Sequence, residues 1–105
     1  MKKFVVIDER ADQEIQTFSQ EVQRQFAALF IILGKEGFLR EPYAKRINHD
    51  LFELRVRFQG QWRAIYTYFD TSSILVLSAF SKKAKKTPKN ELKRALNRLR
   101  EHRKE

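Results

Sequence analysis

Residues 51–81 have the sequence LFELRVRFQGQWRAIYTYFDTSSILVLSAFS, and this stretch determines the fold that we predict. Every second residue from Phe52 to Phe58 is apolar, which is typical of a half-buried β-strand. Gln59-Gly60-Gln61 is a turn sequence, and residues 70–73 form a second one. We therefore predict three consecutive antiparallel strands over residues 51–58, 62–69 and 74–81.

The first half of the chain is predicted to contain one strand and two helices. Residues 4–7 are β-branched and aromatic, which is typical of a strand. Apolar residues then recur every three or four positions from Ala11 to Leu33, as in a helix that ends at Gly34 and Gly37. Ser19 can cap a new helix, so we prefer two helices to one. Residues 42–50 are expected to be a polar connection.

A last helix is predicted after the third strand. Thr87 is expected to be its N-cap and Pro88 its first helical residue. Its apolar face consists of Leu92, Ala95, Leu96 and Leu99.

Length and composition favour a single domain over residues 1–105. The chain has no cysteine and two histidines, so neither a disulfide framework nor a metal site is predicted. Its longest apolar stretch, residues 26–33, is too short to cross a bilayer, and we expect a cytoplasmic protein without a membrane partner.

The surplus positive charge lies entirely in the second half. Residues 1–50 contain eight Lys/Arg and eight Asp/Glu, whereas residues 51–105 contain fourteen and five. A concentrated positive field attracts polyanions, which makes nucleic acid the first partner to consider. A merely soluble basic domain is the alternative.

Pairing the predicted strands places several of these charges together. If Phe58 pairs with Trp62, Arg57 lies opposite Arg63 and Arg55 lies opposite Ile65. If Phe69 likewise pairs with Ile74, Phe80 lies opposite Arg63. Lys82 then continues the same face, and a single bulge would shift this register by one residue.

Such a row of arginines beside an aromatic ring suits RNA. Guanidinium groups bind phosphate, and a ring offers a stacking surface for a base. The alternative is a solvated face in which Arg55, Arg57 and Arg63 pair with Glu53 or with the last helix, and Phe80 belongs to the core.

Three strings also resemble a known family: Phe52-Glu53-Leu54-Arg55, Trp62-Arg63-Ala64-Ile65-Tyr66 and Phe80-Ser81-Lys82-Lys83, the last followed by Lys86-Thr87-Pro88. Their order and spacing resemble the HigB-like, phage-derived branch of the RelE/ParE toxin superfamily. The resemblance implies an α+β fold of order β-α-α-β-β-β-α, with a small, mostly antiparallel sheet packed on helices. It also implies the toxin of a type II toxin-antitoxin pair, with ribosome-dependent mRNA cleavage as its commonest activity.

The resemblance further implies roles for individual residues. The basic catalytic positions of the family correspond to Arg55, Arg63, Lys82 and Lys83, and the attacking group is the 2′-hydroxyl of the RNA, so no cofactor is expected. The strand register, and not the resemblance, leads us to expect Arg57 on a flanking phosphate and Phe80 against a base. Lys85 and Lys86 are further expected RNA-binding residues.

The general acid and base are not fixed by the sequence. Many ribosome-dependent relatives have a Tyr or His near the end of the last strand or the C-terminus, where this chain has lysines and His102. His49 and His102 are candidates, although each is typical of a surface residue. A lysine whose pKa is lowered by neighbouring cations is another candidate.

Two other functions remain open at this point. ParE-like members of the superfamily inhibit DNA gyrase without enzymatic activity, and a plain nucleic-acid binding module would also explain the charge. For a toxin, the expected partners are the ribosome with its mRNA and a helix-turn-helix, HigA-like antitoxin. The cations of the last helix, from Lys89 to Lys104, are expected to steer the protein toward ribosomal RNA.

Overall fold

A computed structural model of the protein describes residues 1–83 and 85–104, and its fold is α+β as predicted. Three helices pack on a five-stranded sheet. In chain order the elements are β1 (Phe4–Ile7), α1 (Glu9–Gln16), α2 (Gln20–Glu36), β2 (Ala44–Arg46), β3 (Phe52–Arg57), β4 (Gln61–Tyr68), β5 (Ser73–Ser81) and α3 (Lys89–Arg103).

The first helical stretch consists of two helices, because Ser19 starts a new one. Its hydroxyl accepts a hydrogen bond from the backbone of Val22, so it is the N-cap of α2. Gly37 ends α2 in the left-handed conformation, with φ of 85°. Gly34, however, lies inside α2, where its backbone oxygen accepts a hydrogen bond from Lys3.

The sheet has the strand order β1-β5-β4-β3-β2. β1 lies parallel to β5, and the other pairs are antiparallel. The expectation that residues 42–50 only connect other elements is wrong, since Ala44–Arg46 form an edge strand on β3.

The predicted register between β3 and β4 is wrong by two residues. Arg57 pairs with Gln61, and Arg63 therefore lies opposite Arg55 and not opposite Arg57. The chain turns earlier than assumed because Gln59 and Gly60 both adopt positive φ, at 49° and 133°. A shift of two leaves every side chain on its predicted face.

The predicted register between β4 and β5 is correct at Arg63 and wrong near the loop that joins the two strands. Tyr68, not Phe69, pairs with Ile74. A bulge between Ile65 and Tyr66 then adds one residue, so Arg63 lies opposite Phe80 as predicted.

Each face of the sheet carries its own apolar core. The face toward α1 and α2 includes Leu54, Val56, Ala64 and Tyr66, as expected from the alternation. The face toward α3 includes Leu51, Ile65, Leu75, Leu77, Phe80, Ala95 and Leu99. Among the described residues, no helix is long and apolar enough to cross a membrane.

Candidate functional site

A buried carboxylate lies at the centre of the basic strands. The Glu53 residue is 2% exposed, and its Oε1 atom lies 3.0 Å from Arg55 Nη2, 3.6 Å from Arg63 Nε and 3.7 Å from Lys82 Nζ. The hydroxyl of Thr87 donates to Glu53 Oε2 at 2.6 Å. We call these five residues the Glu53 cluster.

The strand geometry explains why these residues meet. Glu53 and Arg55 are two apart on β3 and share a face, while Arg63 lies directly opposite Arg55 on β4. Lys82 follows β5, where its backbone donates to Gln61 at 2.7 Å and keeps its side chain beside Arg63.

Thr87 does not have the capping role that we predicted for it. α3 begins at Lys89 with Pro88 as its N-cap, without a side-chain cap hydrogen bond. The Thr87 hydroxyl donates a hydrogen bond to Glu53 instead. It therefore ties the start of α3 to the basic strands.

Arg63 is the most buried cation of the cluster, with a side chain that is 6% exposed. Its Nη1 atom donates to the Trp62 carbonyl at 3.0 Å and its Nη2 atom donates to Gln61 Oε1 at 2.6 Å. Its Nε atom has no hydrogen-bond partner among the described residues. The guanidinium is thus fixed in position while one buried donor is unsatisfied.

The pKa of Arg63 is lowered, first by burial and then by the charges of Arg55 and Arg57, against the opposing attraction of Glu53. A guanidinium nevertheless stays protonated at physiological pH. A further anion beside Arg63 would favour its charged form, as Glu53 does.

Glu53 and Lys82 have shifted pKa values as well. Burial raises the pKa of Glu53, but hydrogen bonds from Thr87 and Arg55 and the charge of Lys82 outweigh it, so the pKa lies below its usual value. Burial lowers the pKa of Lys82, and the charges of Arg63 and Arg55 lower it further, against Glu53. This is the direction that a lysine base requires, although burial contributes more than neighbouring cations.

Two open grooves meet at Arg55. The first, which we call the α2 groove, has a volume of about 400 Å³ and is lined by Gln25, Ala28, Leu29, Pro42, Tyr43, Arg55, Val56, Arg57 and Arg63. The second, the α3 groove, has a volume of about 320 Å³ and is lined by Lys45, Arg46, Ile47, Glu53, Arg55, Lys82, Lys85, Lys86, Thr87 and Leu92. The α3 groove combines six cationic residues with one carboxylate, so it is electropositive.

Most of the expected basic residues are brought together. Arg55, Arg63 and Lys82 share one carboxylate, and Arg57 lines the α2 groove. Lys85 and Lys86 line the α3 groove. Lys83 is exposed and lines neither groove, so the structure does not bring it to the site.

Phe80 does not offer a stacking surface. The residue is 6% exposed and packs beneath α3 with Ile65, Leu77 and Leu99. The expectation that it stacks on a base is wrong for this conformation, and the alternative that it belongs to the core is correct.

Neither histidine lies in the Glu53 cluster. His49 is in the loop between β2 and β3, where its side chain is 92% exposed and lies 3.3 Å from Asp50. His102 is in the last turn of α3, with Nε2 at 2.7 Å from Asp8 Oδ2, whereas Thr87 marks the opposite end of that helix. A helix of this length separates its ends by roughly 20 Å, so the structure does not bring His102 to the cluster.

One cation of the last helix is not available for steering. Arg98 is buried, where it donates to both carboxylate oxygens of Glu14 and to the Leu77 carbonyl. Arg94 lies 3.0 Å from Glu91 and 3.7 Å from Glu14. The buried contacts of Arg98 therefore hold α3 to the rest of the molecule, whereas the shorter contact of Arg94 lies within α3.

Sequence reasoning missed the central role of Glu53 and the contributions of Lys45, Arg46, Gln61 and Thr87. The sequence suggests Glu53 only as an ion-pair partner in the alternative arrangement. Its position two residues before Arg55 on a strand is the available signal, because it predicts a shared face. The edge strand that carries Lys45 and Arg46 has only three residues and shows no comparable pattern.

Comparison with solved structures identifies the class of fold. Free E. coli toxin RelE, a double arginine-to-alanine mutant, is similar over 99% of this chain and 100% of its own, with a TM-score of 0.66 and 20% identity. The same toxin bound to the antitoxin peptide RelBc is 27% identical, with a TM-score of 0.61 over 80% and 87% of the two chains. RelE in the RelE-RelB complex of Pyrococcus horikoshii is 26% identical, with a TM-score of 0.57 over 77% and 96%. The fold is therefore that of the RelE toxins.

The sequence itself is matched by a family profile. The profile of the phage-derived Gp49-like proteins (DUF891) matches residues 13–100, and the chain belongs to this family. Together with the fold, this match confirms the expected RelE superfamily. Comparison with curated proteins finds no match.

Proposed function

We propose that the protein is the toxin of a type II toxin-antitoxin system, of the HigB-like branch, and that it cleaves mRNA on the ribosome. Family and fold support the toxin assignment. The observation that carries the nuclease assignment is the convergence of Arg55, Arg63 and Lys82 on one strand face, with the Arg63 Nε donor unsatisfied. Three cations around a single carboxylate leave positive charge for a phosphate.

The proposed reaction needs no external nucleophile. The 2′-hydroxyl of one nucleotide attacks the adjacent phosphorus and the bond to the 5′ oxygen of the next nucleotide breaks. The departing oxygen takes a proton from water, so a 2′,3′-cyclic phosphate and a 5′-hydroxyl result. Arg63 and Arg55 stabilise the negative charge that develops on the phosphorane oxygens. Lys82 is our candidate for the group that accepts the proton of the 2′-hydroxyl, because its pKa is lowered.

Glu53 is proposed to position the cations. Three like charges at this spacing repel each other, and a shared carboxylate offsets the repulsion while fixing their side chains. A phosphate that enters the α3 groove meets Arg55 and Lys82 together with Lys85 and Lys86. Arg57 holds a flanking phosphate from the α2 groove.

The proposed partners follow from this activity. Ribosomes and mRNA are the targets, the cytoplasm is the site of action, and a helix-turn-helix, HigA-like antitoxin neutralises the toxin. RelE toxins of E. coli and Pyrococcus horikoshii have been solved with bound RelB antitoxins or antitoxin peptides, which supports a protein antitoxin here.

The test is to map RNA 5′ ends in cells after induced expression. We predict breaks confined to translated regions, and their loss with Arg63→Ala or with Arg55→Ala. Arg55 is only half-buried, so this second variant separates loss of charge from loss of folding. Arg24→Ala, which removes an exposed cation of α2, is the matched control and should preserve the breaks. Intact mRNA together with gyrase-linked DNA damage would support a gyrase inhibitor instead.

A further inference from the structure

The α2 groove combines features that the Glu53 cluster does not have. Its lining includes three apolar residues from α2 and β3, Ala28, Leu29 and Val56, and three arginines, Arg55, Arg57 and Arg63. Its volume of about 400 Å³ lies within the range of pockets that bind small ligands. The groove therefore suits a ligand with a flat apolar part and a negative charge.

An aromatic ring stands at this groove. Tyr43 is 53% exposed and lines the groove, so its ring is accessible to a ligand there. Its backbone is held on both sides, because its N–H donates to Arg40 at 2.9 Å and its carbonyl accepts from Arg55 at 2.8 Å. The ring is thus attached to a fixed backbone next to Arg55, which limits the entropy that binding costs.

Arg55 and Arg63 connect the groove to the proposed reaction site. Both residues line the α2 groove, and both contact the Glu53 carboxylate. The guanidinium of Arg63 is held by hydrogen bonds to the Trp62 carbonyl and to Gln61 Oε1, so its charge has a fixed position at the groove. Tyr43 lines the same groove as these arginines, so a phosphate bound by them and a base at Tyr43 would share one groove.

We infer that the α2 groove binds one nucleobase of a single-stranded RNA, which stacks on Tyr43 while Arg57 contacts its phosphate. The inference rests on the proposed function for its biological substrate, but it concerns binding and not cleavage. Stacking on an exposed ring is tolerant of base identity, and the apolar lining residues Ala28, Leu29 and Val56 suit the apolar part of a base. Phe80, the ring that the sequence suggested, is buried and cannot take this part.

The experiment measures binding of a 2′-O-methylated RNA trinucleotide to the full chain, which cannot cleave it because the 2′-hydroxyls are blocked. A second trinucleotide carries the same phosphates but an abasic central position. We expect the abasic form to bind about 10-fold more weakly than the complete one, the effect of a single base stack. With Tyr43→Ala the two trinucleotides should bind equally, whereas Tyr43→Phe should restore the difference.

Phe38→Ala is the matched control, because Phe38 is an exposed ring near Tyr43 in sequence that does not line the groove. It should leave the 10-fold difference unchanged. Equal affinity of the two trinucleotides for the unmodified protein, or no binding at millimolar concentration, overturns the inference.

The two proposals fail separately. Trinucleotide binding that depends on Tyr43, in a protein that leaves mRNA intact on ribosomes, overturns the nuclease assignment and preserves the base site. Cleavage that depends on Arg63 but is accompanied by equal affinity for the abasic form overturns the base site alone.

Discussion

Glu53 shows how one residue organises the site. Its carboxylate contacts three cations and the hydroxyl of Thr87, and it is almost completely buried. A buried carboxylate that is paired in this way contributes to stability only while it is ionised.

Glu53→Gln should lower the free energy of unfolding at pH 7 by about 3 kcal/mol, because it leaves three cations without their counter-charge. The pKa of Glu53 in the folded protein lies below its ordinary value of 4.5. The contribution is therefore complete above pH 4.5 and is lost as the pH falls through the lower, folded value. The difference in free energy of unfolding between the two proteins, measured by urea titration, should therefore be smaller at pH 3 than at pH 7.

Glu21→Gln is the matched control for this experiment, since Glu21 is partly exposed and pairs with Arg24 on the same helix. Its effect should stay below about 1 kcal/mol at both pH values. A Glu53→Gln effect that is equally large at pH 7 and pH 3 would contradict the assignment of an ionised, stabilising carboxylate.

The sequence predicted which residues share the face of the site better than it predicted which of them are buried. Arg55, Arg57 and Arg63 share a face because side chains alternate along a strand, and this result survives a register error of two. The burial of Phe80 could not be predicted in the same way, because it depends on where α3 packs on the sheet. That position is determined by contacts of α3 with residues far away in the sequence.

At the level of secondary-structure elements, ion pairs and hydrogen bonds with α1 and β5 hold α3 in place. Arg98 makes two hydrogen bonds to Glu14, at 3.0 and 2.8 Å, and one to the Leu77 carbonyl at 2.8 Å. Glu14 also accepts from the backbone of Ala79 at 3.0 Å. Asp8 adds a second link, because its carboxylate caps α1 and contacts His102 at 2.7 Å.

Arg98→Ala should destabilise the protein by about 3 kcal/mol, because it leaves Glu14 and the Leu77 carbonyl without their buried partner. Arg94→Ala is the matched control on the same helix, and its side chain is 42% exposed. It should cost less than about 1 kcal/mol in the same urea titration. Similar costs for the two variants would contradict the view that Arg98 is a structural residue.

The helices and most strands were predictable from the sequence, but the residue pairs next to the two hairpin turns were not. Alternation and helical spacing located β1, β3, β4, β5 and the helices to within a few residues. The turn at Gln59 and the bulge at Ile65 depend on backbone dihedrals that the apolar pattern does not encode. β2 was missed because three residues are too few to show alternation.

At the level of the whole molecule, many of the cations that give the net charge of +9 fall into two groups. One group of cations surrounds Glu53, and another lies exposed on α3. The exposed residues are Lys89, Lys93, Arg100, Arg103 and Lys104. They are placed to attract a polyanion without taking part in the proposed chemistry.

Reversing three of these charges, with Lys93→Glu, Arg100→Glu and Arg103→Glu, should weaken association with ribosomes. The rate at which the ribosome-bound protein cleaves mRNA should stay unchanged. The salt dependence of binding should become shallower, by about one unit of log-log slope for each phosphate that the protein no longer neutralises. The measurement is ribosome binding over a range of salt concentrations. Lys2→Glu, Arg24→Glu and Lys35→Glu make the same charge change in the first half of the chain and serve as the control. An equal effect of both triple variants would show that only net charge matters.

The most direct test of the nuclease assignment is cleavage of a defined mRNA on ribosomes by the purified protein. We predict a break at the codon in the A site that ends in a 2′,3′-cyclic phosphate and is abolished by a 2′-O-methyl group at that nucleotide. Arg63→Ala should slow it by at least about 100-fold, the usual effect of removing one donor to a developing oxyanion. An mRNA that stays intact on these ribosomes, while the same protein inhibits supercoiling by gyrase, would contradict the account.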